Sequence, residues 1–225
     1  MPRVERVDVA NQIYHILNRA NAHVQIFDTD EDYKLFEDIL EEAAETYGMR
    51  ILAYCLMPNH WHLVLYPHKD GDLQKFMSLI TNTHTRRWHT AKETIGQGHL
   101  YQGRYKSFLC EKNNHFLILV RYVERNAKKA NLVRYAEKWR WGSAWRREHG
   151  TKSQKKMLTN WPVPRPQDYL SFLNQPQTQS EEEAIERSLE KNIPYGGDQW
   201  VSGIVKKYGL EQTLRSVGRP RKNGG

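Results

Sequence analysis

The strongest constraint on the fold is the stretch 50–66, in which side chains alternate in polarity on either side of a Pro-Asn pair. A period of two is typical of β-strands and Pro-Asn is typical of turns, so we predict a hairpin with strands over 50–56 and 60–66. Because side chains at i and i+2 of a strand share a face, His60 and His62 point the same way. Two imidazoles placed like this can ligate a metal ion, although a His-x-His pair also occurs at hairpin edges without function.

Helical periodicity surrounds this hairpin. A helix is predicted over 30–47, with Thr29 as its N-cap and Asp32 three residues on, which is the spacing of a capping box. A second helix is predicted to follow Asp72, which can serve as its N-cap. Short strands are expected within 11–19 and at 107–110. The order βαββαβ predicts an α+β fold, a ferredoxin-like antiparallel sheet with helices on one face.

A third helix is predicted over 113–130, and it carries Tyr122 and Asn126 on one face because they are four residues apart. Apolar patterning loosens after it, and a short basic run ends the chain. We therefore expect a main domain that includes the Tyr122 helix, a C-terminal helical extension and a basic tail, over residues 1–150, 151–217 and 218–225.

The charge of the chain is +8 overall and is unevenly distributed. Residues 23–50 carry nine acids against two basic residues, whereas residues 121–156 carry twelve basic residues against three acids. One side of the molecule should therefore attract a polyanion. Cys55 and Cys110 form no CxxC pair, and the N-terminus has no apolar signal core. We expect reduced thiols, no membrane span and a cytoplasmic, nucleoid-associated location.

A tyrosine and two histidines suggest phosphate chemistry. Divalent metals that act on phosphate accept imidazole nitrogen and amide oxygen, so Asn126 could complete a site with His60 and His62. Tyr122 would be a weak nucleophile with an ordinary pKa near 10, unless a metal polarised its target. The alternative for Tyr122 is a partly exposed packing residue.

Three motifs together resemble the REP-associated tyrosine transposases, which belong to the HUH superfamily of single-strand endonucleases. They are MPNHWH over 57–62, GHLYQGRYKS over 98–107 and YVERN over 122–126. The runs RWGSAW, WPVPRP, PYG and GRPRK in the C-terminal part are also similar to this family, so the resemblance covers nearly the whole chain. One departure is the Ala-Lys-Lys-Ala run at 127–130, where many relatives would have Asn-Pro and a basic residue.

The resemblance implies that His60, His62 and Asn126 bind Mg²⁺ or Mn²⁺. It implies that Tyr122 is the single nucleophile and joins to a 5′-phosphate of single-stranded DNA. It also implies the substrate. This is the DNA hairpin of a repetitive extragenic palindrome, recognised together with a tetranucleotide on the 5′ side of the hairpin base.

Further residues are candidates for DNA contact. Basic side chains near the site could neutralise phosphates, and aromatic ones could stack on unpaired bases. The tail resembles an AT-hook core, which suits a minor groove. The basic candidates are Arg86, Arg87, Arg104, Lys106, Arg121, Arg125, Lys128, Lys129 and, in the tail, Arg219 and Arg221; the aromatic ones are Tyr101, Tyr105, Trp61 and Trp88.

The sequence thus predicts a metal-dependent transposase that nicks and rejoins single-stranded DNA hairpins. Two alternatives stay open at this point: a protein that binds hairpins without cutting them, and a metal nuclease that uses water. The chain could act as a monomer, or as a swapped dimer in which Tyr122 serves a partner's histidines.

Overall fold

A computed structural model describes residues 6–214 of the 225-residue chain. Its strands are β1 (Ile13–Arg19), β2 (Arg50–Met57), β3 (His60–Tyr66) and β4 (Lys106–Cys110). Its helices are α1 (Asp30–Tyr47), α2 (Asp72–Ala91), α3 (Asn114–Glu124), α4 (Asn126–Lys129), α5 (Ser143–His149), α6 (Lys152–Lys155), α7 (Tyr169–Asn174), α8 (Gln179–Lys191), α9 (Asp198–Tyr208) and α10 (Glu211–Leu214).

The four strands form one antiparallel sheet in the order β2-β3-β1-β4. Helix α1 connects β1 to β2 and helix α2 connects β3 to β4, which gives the predicted βαββαβ order. The predicted α+β class and antiparallel sheet are confirmed. The central pair is β1 with β3, whose register sets Arg19 opposite His60 and Leu17 opposite His62.

The two faces of the sheet are covered by different parts of the chain. Helices α1 and α2 pack on one face, over a core that includes Ile16, Trp61 and Leu63. Helix α3 packs on the other face, over Leu17 and Val64, together with buried residues of α7 and α8. The described part of the predicted C-terminal extension therefore contributes to this second core.

One of the two predicted helix caps is present in the structure and the other is not. Thr29 and Asp32 form the predicted capping box at the start of α1. The prediction that Asp72 caps α2 is wrong, since Asp72 is the first residue of that helix. The carboxylate of Asp8 instead accepts hydrogen bonds from the backbone N–H groups of Leu73 and Gln74, at 3.1 and 2.8 Å. That cap comes from a distant part of the chain.

The predicted third helix is interrupted. Arg125 separates α3 from α4 with φ −87° and ψ −3°, which lie in the right-handed helical region but away from the values of a regular α-helix. The side-chain amide of Asn126 donates a hydrogen bond to the backbone carbonyl of Tyr122 at 3.0 Å. Asparagine side chains compete with the backbone in this way, which explains a break at this position. Within residues 6–214, no helix has the length and apolar character needed to cross a membrane.

Candidate active site

The two strand histidines lie side by side on the face that α3 covers. Both belong to β3, and their ring centroids are 5.1 Å apart at an interplanar angle of 77°. His60 is half-buried and His62 is buried. The predicted alternation thus brings both imidazoles to one place, within reach of a single ion.

Each of these histidines has a neighbour at its Nδ1 atom. The Nδ1 of His60 lies 2.7 Å from Oδ1 of Asn59. An amide oxygen can only accept, so His60 donates from Nδ1 and keeps the lone pair of Nε2. The Nδ1 of His62 lies 2.9 Å from Nε2 of His15 on β1. In both rings, Nε2 is the nitrogen left for a metal ion.

Burial keeps both imidazoles neutral. Desolvation, together with the charge of nearby Arg19, lowers the pKa of His60 to about 4. Desolvation also holds the pKa of His62 well below its usual value, with His15, His60 and Arg19 adding to the effect. A neutral imidazole is the form that ligates a metal.

Tyr122 lies beside this pair in the same chain. Its ring centroid is 5.8 Å from that of His62, with the rings at 81°, and 6.4 Å from that of His15. Burial, with a smaller contribution from the carboxylates of Glu186 and Glu182 on α8, raises the pKa of Tyr122 to about 12, and the charge of Arg19 opposes this rise. Tyr122 is therefore a neutral phenol at neutral pH.

Asn126 is held on the same turn of chain by its bond to the Tyr122 carbonyl. That bond uses the amide nitrogen and leaves Oδ1 as an acceptor. Within residues 6–214, no group of three or more His, Cys, Asp or Glu side chains could hold a metal ion. A divalent metal ion here would be held by the Nε2 atoms of His60 and His62 and by the amide oxygen of Asn126, all of which are neutral donors.

A basic cleft adjoins the histidines. It has a volume of about 380 Å³ and is lined by Leu17, Asn18, Arg19, Gln102, Gly103, Arg104 and Lys106. Its three cations are exposed and no acid lines it. Arg104 and Lys106 were predicted as DNA contacts, and Arg19 joins them because it lies opposite His60 in the β1–β3 register.

Several other predicted DNA contacts have partners within the protein. Trp61 and Tyr101 are buried, and the Trp61 indole donates to the Tyr101 hydroxyl at 3.0 Å. Trp88 donates from its indole to the Ile26 carbonyl. The ring of Tyr105, which is half-buried, lies under the Arg6 guanidinium at 4.1 Å.

The basic candidates on the helices also differ from Arg104 and Lys106. Arg121 is buried and pairs with Glu181 at 2.6 Å, and Arg87 pairs with Glu42 at 3.1 Å. Lys128 donates to Asn174, and Lys129 pairs with Glu182. Arg125 is half-buried at the α3–α4 break, and Arg86 is exposed on α2. Arg219 and Arg221 lie outside the described residues.

Three site residues escaped the sequence analysis: His15, Arg19 and Asn59. Alternation within β1 would have placed His15 and Arg19 on one face. The register between β1 and β3, which brings that face to His60 and His62, is not encoded in either strand alone. Asn59 precedes His60 directly and was interpreted only as a turn residue.

Comparison with known proteins places this arrangement in a family. The model of the family "Transposase IS200 like" matches residues 8–126, a span that includes His15, Arg19, His60, His62, Tyr122 and Asn126. Among curated proteins, none matches the sequence. The fold is similar to the solved structure of a REP-associated tyrosine transposase bound to a REP hairpin. That protein is 16% identical, with a TM-score of 0.55 over 65% of this chain and 84% of that one.

Two further solved structures are more distant. One is described as a transposase from Deinococcus radiodurans R1, 23% identical, with a TM-score of 0.40 over 55% of this chain and 96% of that one. The other is tRNA(His) guanylyltransferase from Saccharomyces cerevisiae, 15% identical, with a TM-score of 0.44 over 85% and 83%. The family match spans more than half of the sequence, and the chain therefore belongs to the IS200-like transposases.

Proposed function

We propose that this transposase nicks and rejoins single-stranded DNA at hairpins through a covalent 5′-phosphotyrosine on Tyr122. The observation that carries the proposal is the position of the Tyr122 ring, 5.8 Å from that of His62 within one chain. A nucleophile beside two neutral imidazoles is what a metal-assisted phosphoryl transfer needs. The same proximity supports action of Tyr122 in cis, without exchange between subunits.

In the proposed reaction, Oη of Tyr122 forms a bond to the scissile phosphorus as the bond from phosphorus to the 3′ oxygen breaks. The phenol loses its proton and the leaving 3′ oxygen gains one, so charge and atoms balance. Attack by a 3′-hydroxyl on the phosphotyrosine reverses the step and rejoins DNA. His60, His62 and Asn126 would hold Mg²⁺ or Mn²⁺, and such an ion supplies Lewis acidity toward a phosphate oxygen.

The basic cleft suits the DNA backbone on its way to Tyr122. Arg19, Arg104 and Lys106 line it without an opposing acid, so phosphates would find no like charge there. A larger groove of about 1100 Å³ shares Asn18, Gln102 and Arg104 with this cleft and continues along α2. A hairpin substrate is supported by the similar fold of a relative that was solved with a REP hairpin.

The proposal is tested with a hairpin oligonucleotide that carries a single-stranded 5′ flank and a label at its 3′ end. Protein and DNA are incubated with Mg²⁺ or Mn²⁺, with EDTA as control, and run on a denaturing protein gel. The label should shift to the protein only when metal is present, because the 3′ fragment keeps the 5′-phosphate that Tyr122 attacks.

The alternatives give different gels. A metal nuclease that uses water would release a free labelled fragment and leave the protein unlabelled. A hairpin-binding protein without catalysis would leave the oligonucleotide intact while still retarding it on a native gel. Either result across a panel of hairpins would contradict the proposed transesterification.

A further inference from the structure

His15 is buried in the middle of the sheet for no evident packing reason. It belongs to β1, lies between Val64 and Phe108 in the strand register, and is 0% exposed. Its ring packs against Phe108 at 4.8 Å. Its Nε2 lies 2.9 Å from Nδ1 of His62, whereas its own Nδ1 is buried without a hydrogen-bond partner in the described structure.

An unpaired buried nitrogen destabilises a fold, and an apolar ring of the same size would pack against Phe108 without that penalty. The only polar contact that His15 makes in the described structure is the one with His62. The reason for a histidine at this position must therefore lie in what it does to His62.

We propose that His15 is a positioning residue that prepares His62 as a metal ligand, an inference that rests on the proposed function. His62 can offer Nε2 to a metal only when its proton is on Nδ1. That proton then needs an acceptor, and Nε2 of His15 is the atom within reach. The bond also fixes the rotation of the His62 ring.

Each of the two proposed ligands would then donate its Nδ1 proton to a hydrogen-bond acceptor, although the two acceptors differ. His60 donates to the amide oxygen of Asn59, and His62 donates to a second imidazole. Neither supporting group carries a negative charge, unlike the carboxylates that often occupy such positions. A neutral support leaves the charge of a bound ion undiminished toward the phosphate of the substrate.

The test compares His15→Phe, which removes the acceptor and keeps a ring, with His15→Gln, which restores an acceptor. His84→Phe is the matched control, because His84 is also a fully buried histidine but lies on the opposite face of the sheet. Each variant is made in a Tyr122→Phe background so that bound hairpin DNA stays intact. Free Mn²⁺ is then titrated by electron paramagnetic resonance, and hairpin affinity is measured separately in EDTA.

We expect His15→Phe to weaken Mn²⁺ binding about 10- to 100-fold, with hairpin affinity in EDTA unchanged. His15→Gln should recover most of the loss, and His84→Phe should bind Mn²⁺ like the parent. Equal Mn²⁺ affinity in His15→Phe and the parent would overturn the inference, and so would an equal loss in His84→Phe. If His15→Phe does not fold, the Gln variant decides: a loss as large as that of His62→Ala overturns the inference.

Failure of the proposed function would look different. If the parent binds no Mn²⁺, or if wild type forms no covalent adduct, then the proposed metal site or reaction fails, and the role of His15 with it. If the parent binds Mn²⁺ and wild type forms the adduct, while His15→Phe behaves like the parent, only the inference about His15 fails.

Discussion

Two clusters of buried histidines lie on opposite faces of the same sheet. Comparing them shows how a cluster that only stabilises the fold differs from a candidate active site. On the α1–α2 face, Nδ1 of His84 lies 2.6 Å from the hydroxyl of Tyr101, which also accepts from the Trp61 indole. On the α3 face, His15 contacts His62, and His60 and Tyr122 stand beside them.

The pKa values do not distinguish the two clusters. Burial lowers the pKa of both His84 and His15 to about 3, and burial raises the pKa of both Tyr101 and Tyr122. Unpaired nitrogens do not distinguish them either, because Nδ1 of His15 and Nε2 of His84 are both buried without a hydrogen-bond partner in the described structure. What differs is the hydroxyl of the tyrosine. The Tyr101 hydroxyl is bonded on the inside of a core, whereas the hydroxyl of half-buried Tyr122 makes no hydrogen bond within residues 6–214. A tyrosine hydroxyl left without a partner beside two imidazoles therefore indicates function more specifically than a perturbed pKa does.

The largest expected difference is between the two tyrosines. Tyr122→Phe should abolish the covalent adduct, a loss of at least about a thousandfold, because the attacking oxygen is gone. Tyr101→Phe should keep the adduct but lower the free energy of unfolding by about 1–3 kcal/mol, because His84 and Trp61 lose their partner. Denaturing gels and thermal unfolding measure the two effects. An adduct that survives Tyr122→Phe would erase the distinction between the clusters.

The histidines should differ nearly as much. His60→Ala removes a proposed ligand and should lower metal-dependent cleavage about a hundredfold or more, while hairpin affinity in EDTA stays within about twofold. His84→Phe should leave the cleavage rate of the folded protein unchanged. Cleavage rates under metal saturation, with binding measured in parallel, check this. Equal losses in the two variants would mean that both histidines act through stability alone.

A smaller effect is expected at the basic cleft. Arg19→Ala should weaken hairpin binding several-fold at low salt and reduce the slope of log affinity against log salt by about 1, as one phosphate contact is lost. Arg87→Ala is the matched control on the other face, where Glu42 already pairs with the guanidinium. Fluorescence anisotropy over a salt series measures both. A larger loss for Arg87→Ala would point to a DNA path over the side of α2 that faces Glu42, instead of through the basic cleft.

The smallest expected effect concerns the acids of α8. Glu186 and Glu182 raise the pKa of Tyr122, so Glu186→Gln should lower that pKa and increase cleavage about twofold at pH 7. For the wild type, the pKa of about 12 lies above the working range, so the rate should rise with pH from 6 to 9. His60, with a pKa of about 4, stays neutral over that pH range, so its protonation does not lower the cleavage rate at the acid end.

Initial rates at fixed metal concentration test both statements, with Glu190→Gln as the control on the same helix. A rate that falls between pH 6 and 9, or a Glu186→Gln variant slower than wild type, would contradict this electrostatic description.

Local patterns were enough to predict the hairpin, the capping box of α1 and the pairing of His60 with His62. Each depends on residues close in sequence, where periodicity and capping chemistry act directly. The support from His15, the charge of Arg19 and the cap from Asp8 depend on register and on distant parts of the chain. Trp61 and Tyr101 show a related limit of prediction from sequence. An aromatic side chain is suited both to stacking on a DNA base and to packing in a core, and only the packing of the folded chain distinguishes these roles.

The most direct test of the central claim is to identify the residue that carries the DNA. Wild-type protein is trapped with hairpin substrate and metal, digested with trypsin and nuclease, and analysed by tandem mass spectrometry. Trypsin cleaves after Arg121 and Arg125, so the residual nucleotide should lie on the tetrapeptide 122–125, whose only tyrosine is Tyr122. A nucleotide on any other peptide, or efficient cleavage with no nucleotide on the protein, would contradict a transesterification site built from β3 and α3.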